Sequence, residues 1–317
     1  MLTLLSNLWE QVINLSLFAV LLRVTVPILL SALGGLISDL AGVINIGLEG
    51  LMLISAFASI AVGSLTGSWV LGVVAGIAAS VLISLAMGFF TLRLKVNIII
   101  AGFAVNIFGS GVTVFLLNVL FGATGNYNPS DLDKIPTVII PGIEAIPVVG
   151  KLLSGHNLMV WVALLAVLFC YYMLYRTPYG GHLRSIGEAP DAARSLGIPV
   201  ERVQYSALMW SGVFTGLAGS YLSMGMTSMF VKDMTAGTGF LALAVVVFGN
   251  RNPLGVFFGA LIFGLATAVT TMIETTAGSG VPSQFVKMIP YIVTIVALVI
   301  LALRKHRKQL AMSGAGA

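Results

Sequence analysis

Glu49 is the residue whose type fits its neighbourhood worst. It stands in Gly34-Gly35-Leu36-Ile37-Ser38-Asp39-Leu40-Ala41-Gly42-Val43-Ile44-Asn45-Ile46-Gly47-Leu48-Glu49-Gly50, an apolar run broken by glycines, Asn45 and two carboxylates. A charge at membrane depth costs about 2.5–3.5 kcal/mol on insertion scales, so Glu49 must face protein or a wet cavity. Two chemistries are open to it. A broken helix lets Asn45 and Glu49 hydrogen-bond a polar solute; alternatively, the carboxylate locks a loop by accepting from backbone N–H groups. Asp39 is expected at the water boundary.

A second constellation runs from Arg176 to Arg202. Pro190 suits a first helical turn, Asp191 the positive end of the helix dipole, and Gly197 the stop. Glu188 and Asp191 precede Arg194, while Ala192, Ala193 and Leu196 add apolar bulk. A short capped helix of mixed charge has the form of a docking surface. The third constellation is Gly237-Thr238-Gly239-Phe240-Leu241-Ala242-Leu243-Ala244, followed by Phe248-Gly249-Asn250-Arg251-Asn252-Pro253-Leu254-Gly255. Its glycines predict unwound backbone before a short helix. A Gly-interrupted short segment in each half of a membrane chain points to a transport site. Asn97, Asn106 and Asn118 fall in one expected helix, separated so that they form no single stripe; Asn106 is the candidate for the solute path.

Other chemistry is missing. No G-x-x-x-x-G-K-[ST] loop is present to grip a nucleotide, and no H-E-x-x-H motif to hold zinc. The three histidines, His156, His182 and His306, are expected outside the bilayer core. The lone cysteine, Cys170, builds neither a disulfide framework nor a zinc site. Neither a catalytic nor a metal site is expected, so the chain is read as a non-enzyme.

The elements that position these residues follow from composition. Of 317 residues, 58% are hydrophobic and 9% charged, with a mean hydropathy of +1.05. A soluble domain carries roughly 25% charged residues; this chain has too few to coat a sphere of its size, and lipid must cover most of it. The expected fold is all-α, one polytopic membrane domain over 1–317 with about 8–10 transmembrane or re-entrant helices of about 20 residues each. The clearest spans are Trp69–Leu92, Val96–Phe121, Asn157–Tyr175, Val203–Met224, Pro253–Ile273 and Gln284–Leu303. Val12–Leu33, with Arg23 and Pro27, and Leu40–Gly63, with Asn45 and Glu49, are imperfect; Met234–Asn250 is a short span or a re-entrant half-helix. Gly212, Gly216, Gly219 and Ser223 share one helix face, and Gly255 pairs with Gly259; small faces let backbones approach, so these are packing seams.

Lys and Arg in short loops set orientation. Arg93 and Lys95, the loop 176–202 with Arg176, Arg184, Arg194 and Arg202, Arg251, and the tail 304–317 with Arg304, Lys305, Arg307 and Lys308 are cytoplasmic. The stretch 122–156 has Asp131, Asp133 and Glu144 against Lys134 and Lys151, and reads as external. Nine crossings place the N-terminus outside; one re-entrant segment would reverse it. The net charge of +5 therefore marks topology, not nucleic-acid binding. No cleaved signal peptide is expected.

At these three constellations the chain resembles permease subunits of ABC importers, in the branch shared by branched-chain amino acid, ribose-type sugar and nucleoside uptake. The likeness covers nearly the whole chain. It rests on Gly42–Gly50, on Ile186-Gly187-Glu188-Ala189-Pro190-Asp191-Ala192-Ala193-Arg194-Ser195-Leu196-Gly197-Ile198, and on Gly239–Ala244 with Asn252-Pro253-Leu254-Gly255. The Asn45-Ile46-Gly47-Leu48-Glu49-Gly50 form is most similar to nucleoside permeases. Ala189 is a mild departure from the family pattern.

The resemblance implies a multi-pass protein of a bacterial-type cytoplasmic membrane. A second, non-identical permease would complete the path. Separate ATPase subunits would bind ATP and Mg, since this chain holds no cofactor. A solute-binding lipoprotein or periplasmic protein would deliver the nucleoside. Gly187, Glu188, Asp191, Ala192, Ala193, Arg194, Leu196 and Gly197 would form the coupling helix, and Asn45, Glu49, Asn106, Thr238 and Phe240 are the candidates along the path. A ribose-type sugar permease is the neighbouring alternative, and an ion-coupled secondary carrier the more distant one.

Overall fold

The computed structural model describes residues 15–129, 132–138 and 155–276, with isolated positions from 288 to 299. The helices are α1 Leu15–Leu40, α2 Leu48–Thr66, α3 Trp69–Gly88, α4 Ile98–Phe121, α5 Leu158–Arg176, α6 Pro178–Glu188, α7 Pro190–Ser195, α8 Val200–Ser220, α9 Thr238–Phe248 and α10 Pro253–Thr276. Two antiparallel strand pairs accompany them: β1 Asn126–Tyr127 with β4 Phe230–Val231, and β2 Thr137–Val138 with β3 His156–Asn157. The all-α polytopic architecture is as the composition demands. Among the described residues, six helices (α1 to α5 and α10) are long and apolar enough to cross a bilayer, and α9 is a shorter apolar helix. The expected span over Gln284–Leu303 is described only in part, a turn at Met288 and helix at the described positions after it; the tail 304–317 and much of 122–156 lie outside the described residues.

α1 is the hub. It packs on α8, α10, α9 and α5, and from Val26 to Ile37 it is buried throughout. Here the structure corrects an expectation: Gly34 and Gly35 do not break the helix. A Cβ on Gly34 would lie 2.8 Å from the Ser211 carbonyl oxygen, and one on Gly35 would lie 3.0 Å from the Val246 side chain. Tertiary packing supplies what glycine withdraws from helix propensity, and the interruption is confined to Ala41–Gly47, where Gly42 turns with φ +73°.

α8 is not among the six greasy helices, although the sequence marks Val203–Met224 as a clear span. Its shortfall is of composition, not length: it carries Ser206, Ser211, Gly212, Thr215, Gly216, Gly219 and Ser220. It packs among α1, α2 and α3, and these small and hydroxyl side chains face protein there. Cβ atoms on Gly212 and Gly216 would each lie 2.8 Å from α3 backbone, and one on Gly219 would collide with the Met52 carbonyl of α2. Hydroxyls bind the seam: Ser55 Oγ donates to the Gly216 carbonyl at 2.6 Å, and Ser84 Oγ to that of Leu208 at 2.7 Å.

Helix ends obey ordinary capping chemistry. Asn97 lies just before α4, and its side chain accepts from the Ile99 N–H; Asn157 does the same for Met159 at the start of α5. α3 and α8 each loosen into a π turn, Phe89–Arg93 and Tyr221–Thr227.

Candidate functional site

Between α1 and α2 the chain leaves helical geometry for seven residues, and backbone groups there need partners wherever water is excluded. Asn45 within the joint and side chains from α4 and α8 provide them. Asn45, fully buried, donates through Nδ2 to Ser211 Oγ of α8 at 2.9 Å and accepts from the Gly47 N–H at 3.0 Å. Asn106 of α4 accepts from the Gly50 N–H at 2.8 Å and donates to the Ile46 carbonyl at 3.1 Å. Gln204 of α8 donates to the Ala41 carbonyl at 3.2 Å.

Glu49, in the first turn of α2, reaches across to α9. Its Oε1 accepts from the Gly237 N–H at 2.8 Å and its Oε2 from the Gly239 N–H at 2.6 Å. The first N–H groups of any helix lack intrahelical acceptors, and a carboxylate there also meets the positive end of the dipole. α9 has no cap of its own: Gly237 stands at its N-cap in the left-handed region, φ +84°, with no side chain to offer. Glu49 therefore caps a helix 188 residues away in sequence. Contact is so close that a Cβ on Gly239 would lie 2.5 Å from the Glu49 backbone nitrogen. Of the two chemistries open to Glu49, the structure displays the lock on backbone N–H groups.

α9 itself is shorter than the stretch Met234–Asn250, because the chain is unwound through Gly237. Thr238 is its half-buried first residue and Phe240 an exposed one. Asn45, Glu49, Asn106 and Thr238 thus gather around one joint, and the first three are engaged there by protein groups.

The end of α1 meets the loop 176–202. That loop holds more structure than its turn signals suggest, since α6 precedes the short helix. Thr177 caps α6 with Pro178 next, and Gly180, Leu183 and Ile186 turn inward. Tyr179 shares a hydrogen bond with Ser206 Oγ at 2.8 Å, tying α6 to α8; burial pushes its phenol above the ordinary range, and the Ser206 bond partly offsets that. Gly187 sits so tightly on α1 that a Cβ there would strike the Leu40 carbonyl, and one on Gly42 would lie 3.4 Å from the Gly187 Cα. α7 begins with Pro190 as expected, and the chain turns at Gly197 with φ +80°. Glu188, Asp191, Ala192, Arg194, Leu196 and Gly197 are exposed, whereas Ala193 is buried. Leu196 is 80% exposed, a bare apolar side chain on a polar elbow. Arg194 and Asp191 pair at 3.3 Å.

The chain matches the family model described as branched-chain amino acid transport system / permease component over residues 17–298. It belongs to that permease family.

Among relatives, the guanosine ABC transporter permease NupQ of Bacillus subtilis is 35% identical over 285 residues, covering 86% of this chain and 87% of its own. The nucleoside ABC transporter permease NupC of Lactococcus lactis is 33% identical, over 86% and 87%. A glucose ABC transporter permease of Haloferax volcanii, TsgB13, is 27% identical over 92% of this chain and 78% of its own. These relatives are ABC transporter permeases, and together with the family match and its apolar helices they make this chain a multi-pass membrane permease.

Two pairs of groups in this permease carry no signal in the sequence. Asp39 and Arg251 join the end of α1 to the turn after α9 at 3.2 Å. Ser110, midway along α4, donates to Asp233 Oδ1 at 2.6 Å. The partners are 212 and 123 residues apart, so no local periodicity relates them.

Proposed function

We propose that this permease is the membrane subunit of an ATP-driven importer of nucleosides in a bacterial-type cytoplasmic membrane. It works beside a second, non-identical permease, with ATPase subunits that hold ATP and Mg on the cytoplasmic face and a solute-binding protein on the other. The observation that carries the reading is the continuous fastening from α7 to α9. The exposed elbow 188–197 continues α6, which lies on the end of α1 at Gly187; the interrupted joint follows at once, and Glu49 in the next helix holds the start of α9.

A push on the elbow is thereby delivered to the joint, not dissipated in a loop. ATP need only bind one arrangement of the complex better than the other to shift its population. Exposed Leu196, flanked by Asp191 and Arg194, offers an ATPase cleft an apolar knob with a charged collar. Two guanosine permeases of Bacillus subtilis, NupQ and NupP, are both similar to this chain, the latter 28% identical over 93% of it, which supports the paired arrangement. A hexose-type solute is the second reading, favoured by the likeness to TsgB13.

Uptake of radiolabelled guanosine by vesicles holding the complete importer tests both readings. ATP-dependent uptake that excess uridine suppresses and excess glucose does not supports nucleosides; the reverse supports sugar. Arg194→Glu in the same vesicles leaves the permease inserted and lowers uptake about tenfold, the scale of about 1.4 kcal/mol lost at the docking interface. Unchanged uptake would remove the elbow from the mechanism.

A further inference from the structure

The segment from Ser228 to Gly237 stands apart from the rest of the molecule. It is unwound at the level of membrane helices, with four left-handed residues: Ser228 (φ +55°), Asp233 (+53°), Ala236 (+44°) and Gly237 (+84°). Its ends are pinned. Phe230, fully buried, packs edge-on to Phe57 at 5.3 Å, and the Lys232 N–H donates to the Gly125 carbonyl at 2.8 Å. Downstream, Glu49 holds Gly237 and Gly239. Between the pins, the Met234 N–H bonds the Val231 carbonyl and the Ala236 N–H bonds that of Asp233. The Asp233 carboxylate is thus presented by fixed turns.

Its depth is set by Ser110. That residue lies halfway along α4, whose 24 residues are long enough to cross the bilayer, and its hydroxyl donates to Asp233 Oδ1 at 2.6 Å. Asp233 is exposed, and among the described residues no cation pairs with it. A carboxylate midway through a bilayer cannot face lipid without a heavy penalty, so this one faces a wet path or the partner permease, and the described residues supply no cation that would make it a structural ion pair. Phe103, Ile107 and Ser110 recur at helical spacing on one face of α4, with Phe103 and Ile107 exposed. That face combines an aromatic ring with a hydroxyl-supported carboxylate.

We propose that Asp233, held by Ser110, is a solute-binding residue on the translocation path, and that it accepts the vicinal hydroxyls of a ribose. Ser110 occupies one lone pair of Oδ1, leaving Oδ2 and the far side of Oδ1 as acceptors. Two neighbouring O–H donors match two carboxylate oxygens, the same match by which acidic residues hold ribose in dinucleotide sites. A neutral solute rich in donors gains from such a group, whereas an anionic one is repelled. The assignment rests on the nucleoside reading for its ligand, but not for its claim that Asp233 faces water.

The test uses the assembled importer in vesicles. Cys170, buried and unique, is first replaced by Ala. Asp233→Cys is then treated with a charged, membrane-impermeant methanethiosulfonate. The expected result is modification that saturating guanosine slows by filling the path, with dideoxyguanosine now protecting equally because the carboxylate that reads the hydroxyls is gone. Asp233→Asn, which keeps an acceptor for Ser110, should still assemble, and should lower guanosine uptake relative to dideoxyguanosine uptake about tenfold, the scale of one lost charge-assisted hydrogen bond. No modification of Asp233→Cys, or modification indifferent to guanosine together with an unchanged uptake ratio in Asp233→Asn, overturns the assignment. Absence of ATP-driven guanosine uptake by the unaltered importer sinks the nucleoside reading instead, while the modification rate still reports whether Asp233 meets water.

Discussion

Among the described residues, the stretches Ala41–Gly47 and Ser228–Gly237 both leave helical geometry inside the bundle, and they are built in opposite ways. In Ala41–Gly47 Asn45 is fully buried: its side chain is spent on Ser211 of α8 and Gly47 of the joint, and its backbone N–H donates to Ser38 Oγ of α1. In Ser228–Gly237 the polar side chains of Lys232 and Asp233 are exposed, and the strain of three left-handed residues other than glycine is held by anchors at either end. The first is a joint, where satisfied backbone gives one geometry. The second is a presenting loop, where fixed turns leave a carboxylate free to meet a ligand. Glu49 is the bolt between them, since it belongs to the joint and caps the helix that ends the loop.

That contrast is broken most directly at the bolt. Glu49→Ala orphans two N–H groups at the start of α9, and at about 1.5–3 kcal/mol for each hydrogen bond to a charged group it should lower the melting temperature of the detergent-solubilised complex more than any other single change here. Unchanged melting with lost uptake would return Glu49 to the solute path. Gly239→Ala comes next. Its Cβ would press on the Glu49 backbone, which cannot turn aside as a flexible side chain can, and the cost of such overpacking is about 1–3 kcal/mol. A melting curve matching the parent protein would mean that α9 slides freely along α2. Arg251→Ala marks the smallest effect. The pair with Asp39 leaves half of the arginine side chain exposed, so about 0–1 kcal/mol is expected, visible in melting only as a shift near the limit of measurement. A large loss there would transfer the role of the joint from its hydrogen bonds to its ion pair.

Much of this fold was legible before any coordinates, because lipid imposes length and apolarity on each helix separately. Trp69–Gly88, Ile98–Phe121, Leu158–Arg176 and Pro253–Thr276 fall close to the expected spans. Local signals also placed the short helix at Pro190 and its stop at Gly197. Errors arose where a residue's meaning depends on a distant neighbour. Gly34 and Gly35 read as a break because glycine weakens an isolated helix, yet here they are where α1 touches Ser211 and Val246. α6 read as loop because glycine and mixed charge hide its three inward residues, Gly180, Leu183 and Ile186. Glu49, Asn45 and Asn106 were recognisable as out of place in apolar surroundings. Their roles were not, since each is defined by donors and acceptors on other helices.

Sequence alone decides that this permease is a set of apolar helices with an elbow of mixed charge between two of them, started by Pro190 and stopped by Gly197, because hydropathy and turn signals are properties of neighbouring residues. Only the tertiary structure decides which interruption is closed and which is open. Hydrogen bonding saturates at short range, and whether a buried carboxylate or amide is already satisfied depends on groups that the fold brings to within 3 Å, from wherever in the chain they come.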